Sequence, residues 1–151
     1  MLPIEALERT RALAERVPYS AVALIARFAV ASVFWRSGQT KVNGFSLREE
    51  TFVLFREEYR VPLLPPDLAA YLATTAEHVF PILLIVGFAS RLSALGLFGM
   101  TMVIQLFVYP GGWPEHILWI ASLVLIIARG PGALSLDHLV WQRAPAPVLA
   151  Q

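Results

Sequence analysis

The chain contains no cysteine. That excludes a disulfide framework, thiol–disulfide chemistry by the chain itself, iron–sulfur ligation through cysteine and any cysteine-based zinc site. A redox role would need a bound cofactor or a partner's thiols. Charge is scarce too: Asp, Glu, Lys and Arg make up 15% of the residues against 57% hydrophobic ones, a balance too apolar for an ordinary soluble domain. The net charge of +1 leaves no basic excess to attract nucleic acid, and none is expected as a partner. Also missing are a Gly-rich phosphate loop, a nucleophile elbow and paired catalytic carboxylates, so no residue is assigned a catalytic role from these motifs. At 151 residues the length suits one domain, residues 1–151, with lipid in place of a large water-excluded core.

What is present are apolar runs. A spanning helix needs about 20 mainly apolar residues, and four segments come close, at about 19–37, 68–88, 92–109 and 113–128. Arg27 inside the first run, and the charged leader before it, argue for a retained span and against a cleaved signal. Gly87-Phe-Ala-Ser-Arg91 is short enough to make spans two and three antiparallel neighbours. Tyr109-Pro-Gly-Gly-Trp-Pro114 is a second tight connection, and Arg129-Gly-Pro-Gly132 ends the fourth helix. Trp35, Tyr71, Tyr109, Trp113 and Trp141 fall near the ends, as an interfacial aromatic belt requires. The pattern predicts an all-α membrane protein, a four-transmembrane-helix bundle in contact with the lipid bilayer.

The first connection is longer. After the Asn43-Gly44 turn, Ser46-Leu-Arg-Glu49 has capping-box spacing. Phe52, Phe55 and Tyr59 follow at i, i+3 and i+7 on one face, and Pro62 and Pro65-Pro66 stop the run. This predicts an amphipathic helix over about 46–60, on the membrane surface or capping the bundle. An even number of spans puts both termini on one side. That side carries Arg9, Arg11, Arg16, Arg91, Arg129 and Arg143, against Arg36, Lys41, Arg48, Arg56 and Arg60 in the long loop. The six-to-five excess favours cytoplasmic termini.

Polar residues inside the spans are the candidate site. An ionisable residue at bilayer depth is costly without a partner or water, so it marks function by default. Arg27 and Glu77 fall near the middle of their spans and are expected to pair, as a site or as a clasp between helices. Pro81 cannot donate to the Glu77 carbonyl. At about 1.5 Å per residue, Gln105 lies about 6 Å from the Tyr109 end of its span, and His116 is in the first turn of the fourth. Arg27, Glu77, His78, Gln105 and His116 therefore form an intramembrane polar site opening toward the long loop, with Arg36, Phe52, Phe55 and Tyr59 at its mouth. The opposite half is expected to offer only apolar walls. No metal site is assigned: depth separates His78 and His116 by roughly 10 Å, and no His-x-x-x-His pair occurs. Ser93, Gly96 and Gly99 form a small-residue stripe for packing within the bundle or between protomers.

These residues resemble the DoxX family of small four-span membrane proteins over about residues 19–140. The likeness runs through Arg36-Ser-Gly-Gln-Thr-Lys41, Glu58-Tyr-Arg-Val-Pro-Leu-Leu-Pro-Pro66 and Ala76-Glu-His-Val-Phe-Pro81. It continues in the Gly87 to Arg91 turn, Gln105-Leu-Phe-Val-Tyr-Pro110 and Arg129-Gly-Pro-Gly-Ala-Leu-Ser-Leu-Asp137. The resemblance implies a multi-pass protein of the bacterial cytoplasmic (inner) membrane, often an accessory subunit with a protein partner or as a homo-oligomer. Relatives are associated with oxidative-stress complexes, with quinone-linked thiosulfate oxidation, and with secreted copper-binding peptides. Three functions follow as expectations. The first is a non-catalytic partner in a redox- or metal-stress system, copper included, whose pocket takes a lipid-like molecule or a partner's segment. The second is a subunit of a quinone-linked oxidoreductase, with quinone as cofactor and Glu77 and His78 handling protons. The third is a small oligomeric transporter or channel with Arg27 and Glu77 on its path.

Overall fold

In a computed structural model the protein is a bundle of four long helices with short helices at its ends. The structure describes residues 4–143, the side chains of Glu5 and residues 141–143 excepted. The aromatic-belt place expected for Trp141, and the tail prolines Pro145 and Pro147, lie outside the described residues. In chain order the elements are α1 (Ile4–Ala14), α2 (Tyr19–Lys41), a hairpin of β1 (Val42–Asn43) and β2 (Ser46–Leu47), and α3 (Glu49–Val53). There follow α4 (Pro66–Val86), α5 (Ser90–Val103), α6 (Trp113–Arg129) and α7 (Leu136–Arg143). Two helices widen at their C-terminal ends into π-helix, α3 over Leu54–Tyr59 and α5 over Ile104–Val108.

Four segments are long and apolar enough to cross a membrane: Tyr19–Lys41, Pro66–Val86, Ser90–Val108 and Pro110–Arg129. They pack as a ring, α2 on α4 and α6, and α5 on α4 and α6. The core inside is thin: Val30, Ala31, Phe34, Leu84, Ala94, Leu97, Leu123 and Ile126 are buried. Larger apolar side chains such as Ile25, Phe28, Leu72, Leu92, Leu95 and Leu118 point outward. In water that arrangement would leave the apolar surface exposed; in a bilayer it faces lipid of matching polarity. This is a multi-pass membrane protein.

Close approach of the spans depends on small residues. A Cβ on Gly38 of α2 would come within 2.8 Å of the His78 ring and 3.1 Å of the Glu77 Cβ, so only glycine lets α2 and α4 meet there. In the small-residue stripe, Ser93 is buried and Gly96 receives the Phe80 ring of α4, whereas Gly99 has nothing beside it. The stripe thus packs within the bundle at its first two positions.

The long loop differs from its expected start. Ser46 pairs with Asn43 in the hairpin, and α3 begins after Arg48 with no side-chain cap. The capping box is not formed because the Asn43-Gly44 turn draws Ser46 into a strand. The helix itself covers α4: Phe55 is buried with Ala69 and Ala70, and Leu47, Phe52 and Tyr59 pack on them. Arg56 fastens it further, donating through Nε and Nη2 to the two carboxylate oxygens of Asp67 at 2.8 and 2.7 Å. The π-turn closes with Arg60 in the left-handed region, φ 42°, its N–H donating to the Phe55 carbonyl.

Alternation of the spans puts the hairpin at residues 43–44 and the turn at 109–112 on one side, and the 87–89 turn on the other. Reporter fusions at Phe45 and Gly111 should give one signal and a fusion at Ala89 the opposite one. Equal signals from Ala89 and Gly111 would rule out the bundle.

Candidate functional site

The two intramembrane charges do not pair. Arg27 is 1% exposed, and its guanidinium donates to backbone carbonyls. Nε reaches the Leu84 carbonyl and Nη2 the Ile85 carbonyl, each at 2.6 Å. Nη1 reaches the Leu134 and Pro131 carbonyls at 2.7 and 3.1 Å. Leu84 and Ile85 belong to the last turn of α4, where carbonyls lack the i+4 donor of the helix interior (the Leu84 carbonyl takes a long bond from the Gly87 N–H, 3.2 Å) and a cation is favoured by the helix dipole. The expected Arg27–Glu77 ion pair is thereby corrected. Centring each apolar run placed the charges at one level, but α2 runs on through Lys41 and slides past α4. Gly38 of α2 lies opposite Glu77 and His78, and Arg27 opposite the end of α4.

Glu77 instead meets Lys41. The ion pair is short, Nζ to Oε2 2.8 Å, and its side chains are only 6% and 4% exposed. Lys41 donates to Glu77 Oε1 at 2.9 Å, to Ser37 Oγ at 2.9 Å and to the Ser37 carbonyl at 3.3 Å. Ser37 Oγ in turn donates to Glu77 Oε1 at 3.0 Å. An ammonium has three hydrogens, and these three bonds use them. Glu77 Oε2 is thus held by the ammonium's charge at 2.8 Å, whereas Thr74 Oγ1 one turn earlier is buried without a hydrogen-bond partner.

His116, 3% exposed, is the second polar centre. Gln105 Nε2 donates to the Pro110 carbonyl at 2.7 Å, which turns Gln105 Oε1 toward His116 Nδ1, also at 2.7 Å. An amide oxygen only accepts, so Nδ1 carries the hydrogen and Nε2 of the neutral ring is the acceptor. Gly112 leaves room for the ring, since a Cβ there would lie 2.6 Å from it, and Trp119 packs on it at 4.7 Å between centroids.

These groups line a cavity of about 660 Å³ on the loop side of the bundle. Ser37 and Lys41 come from α2, Ala73 and Glu77 from α4, Met100, Val103, Ile104 and Val108 from α5, and Glu115, His116 and Trp119 from α6. Phe55, Tyr59, Val61 and Tyr109 close it on the loop side, with Tyr59 and Tyr109 5.9 Å apart between ring centroids. Burial pushes the Tyr59 phenol above its ordinary pKa, and a hydrogen bond to Glu58 does the same for Tyr109. Both phenols thus stay protonated across the physiological range. Both π-helical segments border this cavity, a placement common for such irregularities at functional sites.

The residues singled out by sequence divide accordingly. Glu77, His116, Phe55 and Tyr59 line the cavity, and Gln105 supports it by orienting His116. His78 does not line it. Its Nδ1–H donates to the Thr74 carbonyl at 2.7 Å, Nε2 accepts from Gln39 at 3.0 Å, and Trp35 packs edge-on. Adjacent helix positions cannot share a face, so His78 cannot join Glu77 there. Arg36 is exposed, and Phe52 packs against Tyr71, so neither is at the mouth. The opposite half is not merely apolar: a second cavity there is lined by Arg91, Arg129, Ser90 and Asp137. Sequence reasoning leaves Lys41 among the loop cations. Its signal is the Ser37–Lys41 spacing of i, i+4 in a run with no helix breaker other than Gly38.

The sequence profile of the DoxX family matches residues 22–110, more than half of the chain. The chain is also similar to an uncharacterized protein of Haemophilus influenzae, 32% identical over 81% of this chain and 85% of that one. No solved structure matches.

Breaking a buried ion pair strands the remaining charge and costs about 3–5 kcal/mol. Lys41→Met and Glu77→Gln should each lower the thermal unfolding midpoint in detergent, and Lys41→Met/Glu77→Leu should recover a large part of the loss. Arg27→Gln should also destabilise, and adding Glu77→Gln should worsen it additively. Rescue of Arg27→Gln by Glu77→Gln would restore the pairing that the geometry denies.

Proposed function

The chain belongs to the DoxX family, and from that premise we propose that it is a non-enzymatic accessory protein of the bacterial cytoplasmic membrane whose loop-side cavity holds an amphiphile for a partner in a redox- or metal-stress system. The observation that carries this reading is the buried Lys41–Glu77 pair in the wall of a largely apolar cavity. Replacing a buried ion pair by apolar side chains is often neutral or stabilising, so stability alone is a weak reason to keep it. The cavity volume falls within the 300–1,000 Å³ usual for small-molecule sites, apolar walls with a few convergent polar groups included. A polar head donating to Glu77 and His116 would find partners, while its hydrocarbon would lie on Met100, Val103 and Ile104. The excess of cations near the span ends favours cytoplasmic α1 and α7. Copper stress, suggested by the family resemblance, is one such setting.

One observation favours quinone as the amphiphile, with the protein then serving a quinone-linked oxidoreductase. His116 Nε2 is an acceptor by the tautomer that Gln105 imposes, and a quinol hydroxyl is a matching donor. The transport reading has less support, since Arg27 and Glu77 line no common cavity.

Organic extraction of protein purified in mild detergent, followed by mass spectrometry, should recover a co-purified amphiphile, quinone under the second reading. Ala73→Trp should fill the cavity and remove it while the protein stays folded by circular dichroism. Equal recovery from the parent and from Ala73→Trp would overturn the proposal.

A further inference from the structure

The second cavity, about 750 Å³, lies at the end of the bundle away from the long loop, where α2 and α5 begin and α6 ends. Span ends mark the membrane–water interface, so this cavity sits at head-group level. Two cations line it. Arg91 and Arg129 are both exposed, and neither has an ion pair among the described residues. The Arg91 guanidinium lies against Gly130, since a Cβ there would be 3.4 Å from its Nη2. The Arg129 guanidinium lies 5.1 Å from the Tyr19 ring centroid. That ring is held in turn by its hydroxyl, which donates to the Gly130 carbonyl at 2.6 Å. Gly130 thus contacts the Arg91 guanidinium directly and is linked to the Arg129 guanidinium through Tyr19.

Asp137 also lines this cavity, and both of its oxygens are engaged. Oδ1 accepts from the Ala89 N–H and Oδ2 from the Ser90 N–H, each at 2.8 Å. The carboxylate therefore caps α5, and its charge also interacts with that of Arg27. A different group points to a ligand. Ser90 lines the cavity and is 0% exposed, yet its hydroxyl has no hydrogen-bond partner. A buried hydroxyl left unpaired is costly, and this one belongs to the wall of the same cavity as the two cations.

We propose that this cavity binds the phosphate of an anionic membrane lipid, with Arg91 and Arg129 as the clamp and Ser90 as a neutral donor. Guanidinium groups suit phosphate because their planar forks donate in pairs. Basic pockets between spanning helices are recognised sites for anionic head groups. A lipid is favoured over a soluble phosphate by the rest of the wall. Leu92 lines the cavity and is 68% exposed, and Leu95 one turn deeper on α5 is 54% exposed. An acyl chain leaving the head group would run along these two side chains. This site is at the opposite end from the loop-side cavity and does not depend on its occupancy.

The test uses the full-length protein in detergent, titrated with dioleoyl phosphatidylglycerol, dioleoyl phosphatidylcholine and inorganic phosphate, with bound lipid read by native mass spectrometry. Phosphatidylglycerol should bind in preference to phosphatidylcholine, with inorganic phosphate a poor competitor at equal molarity. Arg91→Gln and Arg129→Gln should each weaken phosphatidylglycerol about fivefold, as for one cation near an anionic surface, and together more than either alone. Ser90→Ala, which leaves both charges in place, should weaken it further still in combination. Arg36→Gln at the other end should change nothing. Equal binding of the two lipids, unchanged binding by the double arginine variant, or displacement by equimolar inorganic phosphate would each overturn the assignment, the last by making the site one for a soluble anion.

Discussion

The bundle depends on the Arg27 guanidinium. One side chain from α2 donates to the last turn of α4 and to the segment joining α6 and α7, so three parts of the chain meet at one planar cation. Carbonyls at a helix C-terminus have no donors of their own, and in a bilayer water cannot supply them. The neighbouring turn is built around the same group. Gly87 has φ 73°, a conformation costly for other residues, and a Cβ there would lie 2.9 Å from Arg27 Nη2 and 2.5 Å from the Ser135 Cβ. Asp137 closes the arrangement by accepting from the first N–H groups of α5 and donating its own N–H to the Gly87 carbonyl. All four spans are therefore tied at this end.

That closure permits the other end to be open. The slide of α2 along α4 leaves the first turns of α4 without a spanning neighbour, and α3 covers them through Phe55 and Tyr59. Here side chains of a connection help to hold the helices, and α3 and α5 both widen into π-helix. The cavity forms between these loosened segments. Its one strongly held feature is the Ser37–Lys41–Glu77 cluster, which keeps the end of α2 on α4. The Lys41 carbonyl extends that hold to the loop, accepting from Thr51 Oγ1 at 2.9 Å and the Arg48 N–H at 3.0 Å.

What was legible in the residues followed from period and punctuation. Apolar runs of spanning length mark α2, α4, α5 and α6, and the glycines and prolines at 87, 110–114 and 130–132 mark their limits. The face shared by Phe52, Phe55 and Tyr59 was readable because helix geometry fixes it. What stayed hidden was relative shift. Nothing local encodes how far α2 slides past α4, and the partners of Arg27 and Glu77 are decided by that shift alone. Arg27 was also obscured because its acceptors are backbone carbonyls, which every residue carries. Lys41 is hidden for a related reason: a polar stretch after an apolar one resembles a loop, although Arg36 to Lys41 continues the helix.

The two charged groups inside the bundle thus have different physical status. Arg27 is fully engaged with fixed carbonyls, and any ligand would have to displace hydrogen bonds that hold the bundle shut. Near Glu77, whose two carboxylate oxygens are both held by the Lys41 ammonium, the buried Thr74 hydroxyl has no hydrogen-bond partner. Such atoms cost free energy until a donor arrives. A site can form with little rearrangement where polar atoms are already desolvated and still unpaired, because binding then adds bonds without breaking any. By that criterion the unpaired hydroxyls of Thr74 and Ser90 mark the two ends of the bundle where a ligand can be accepted, and the Arg27 guanidinium provides the rigidity against which the loop side can remain open.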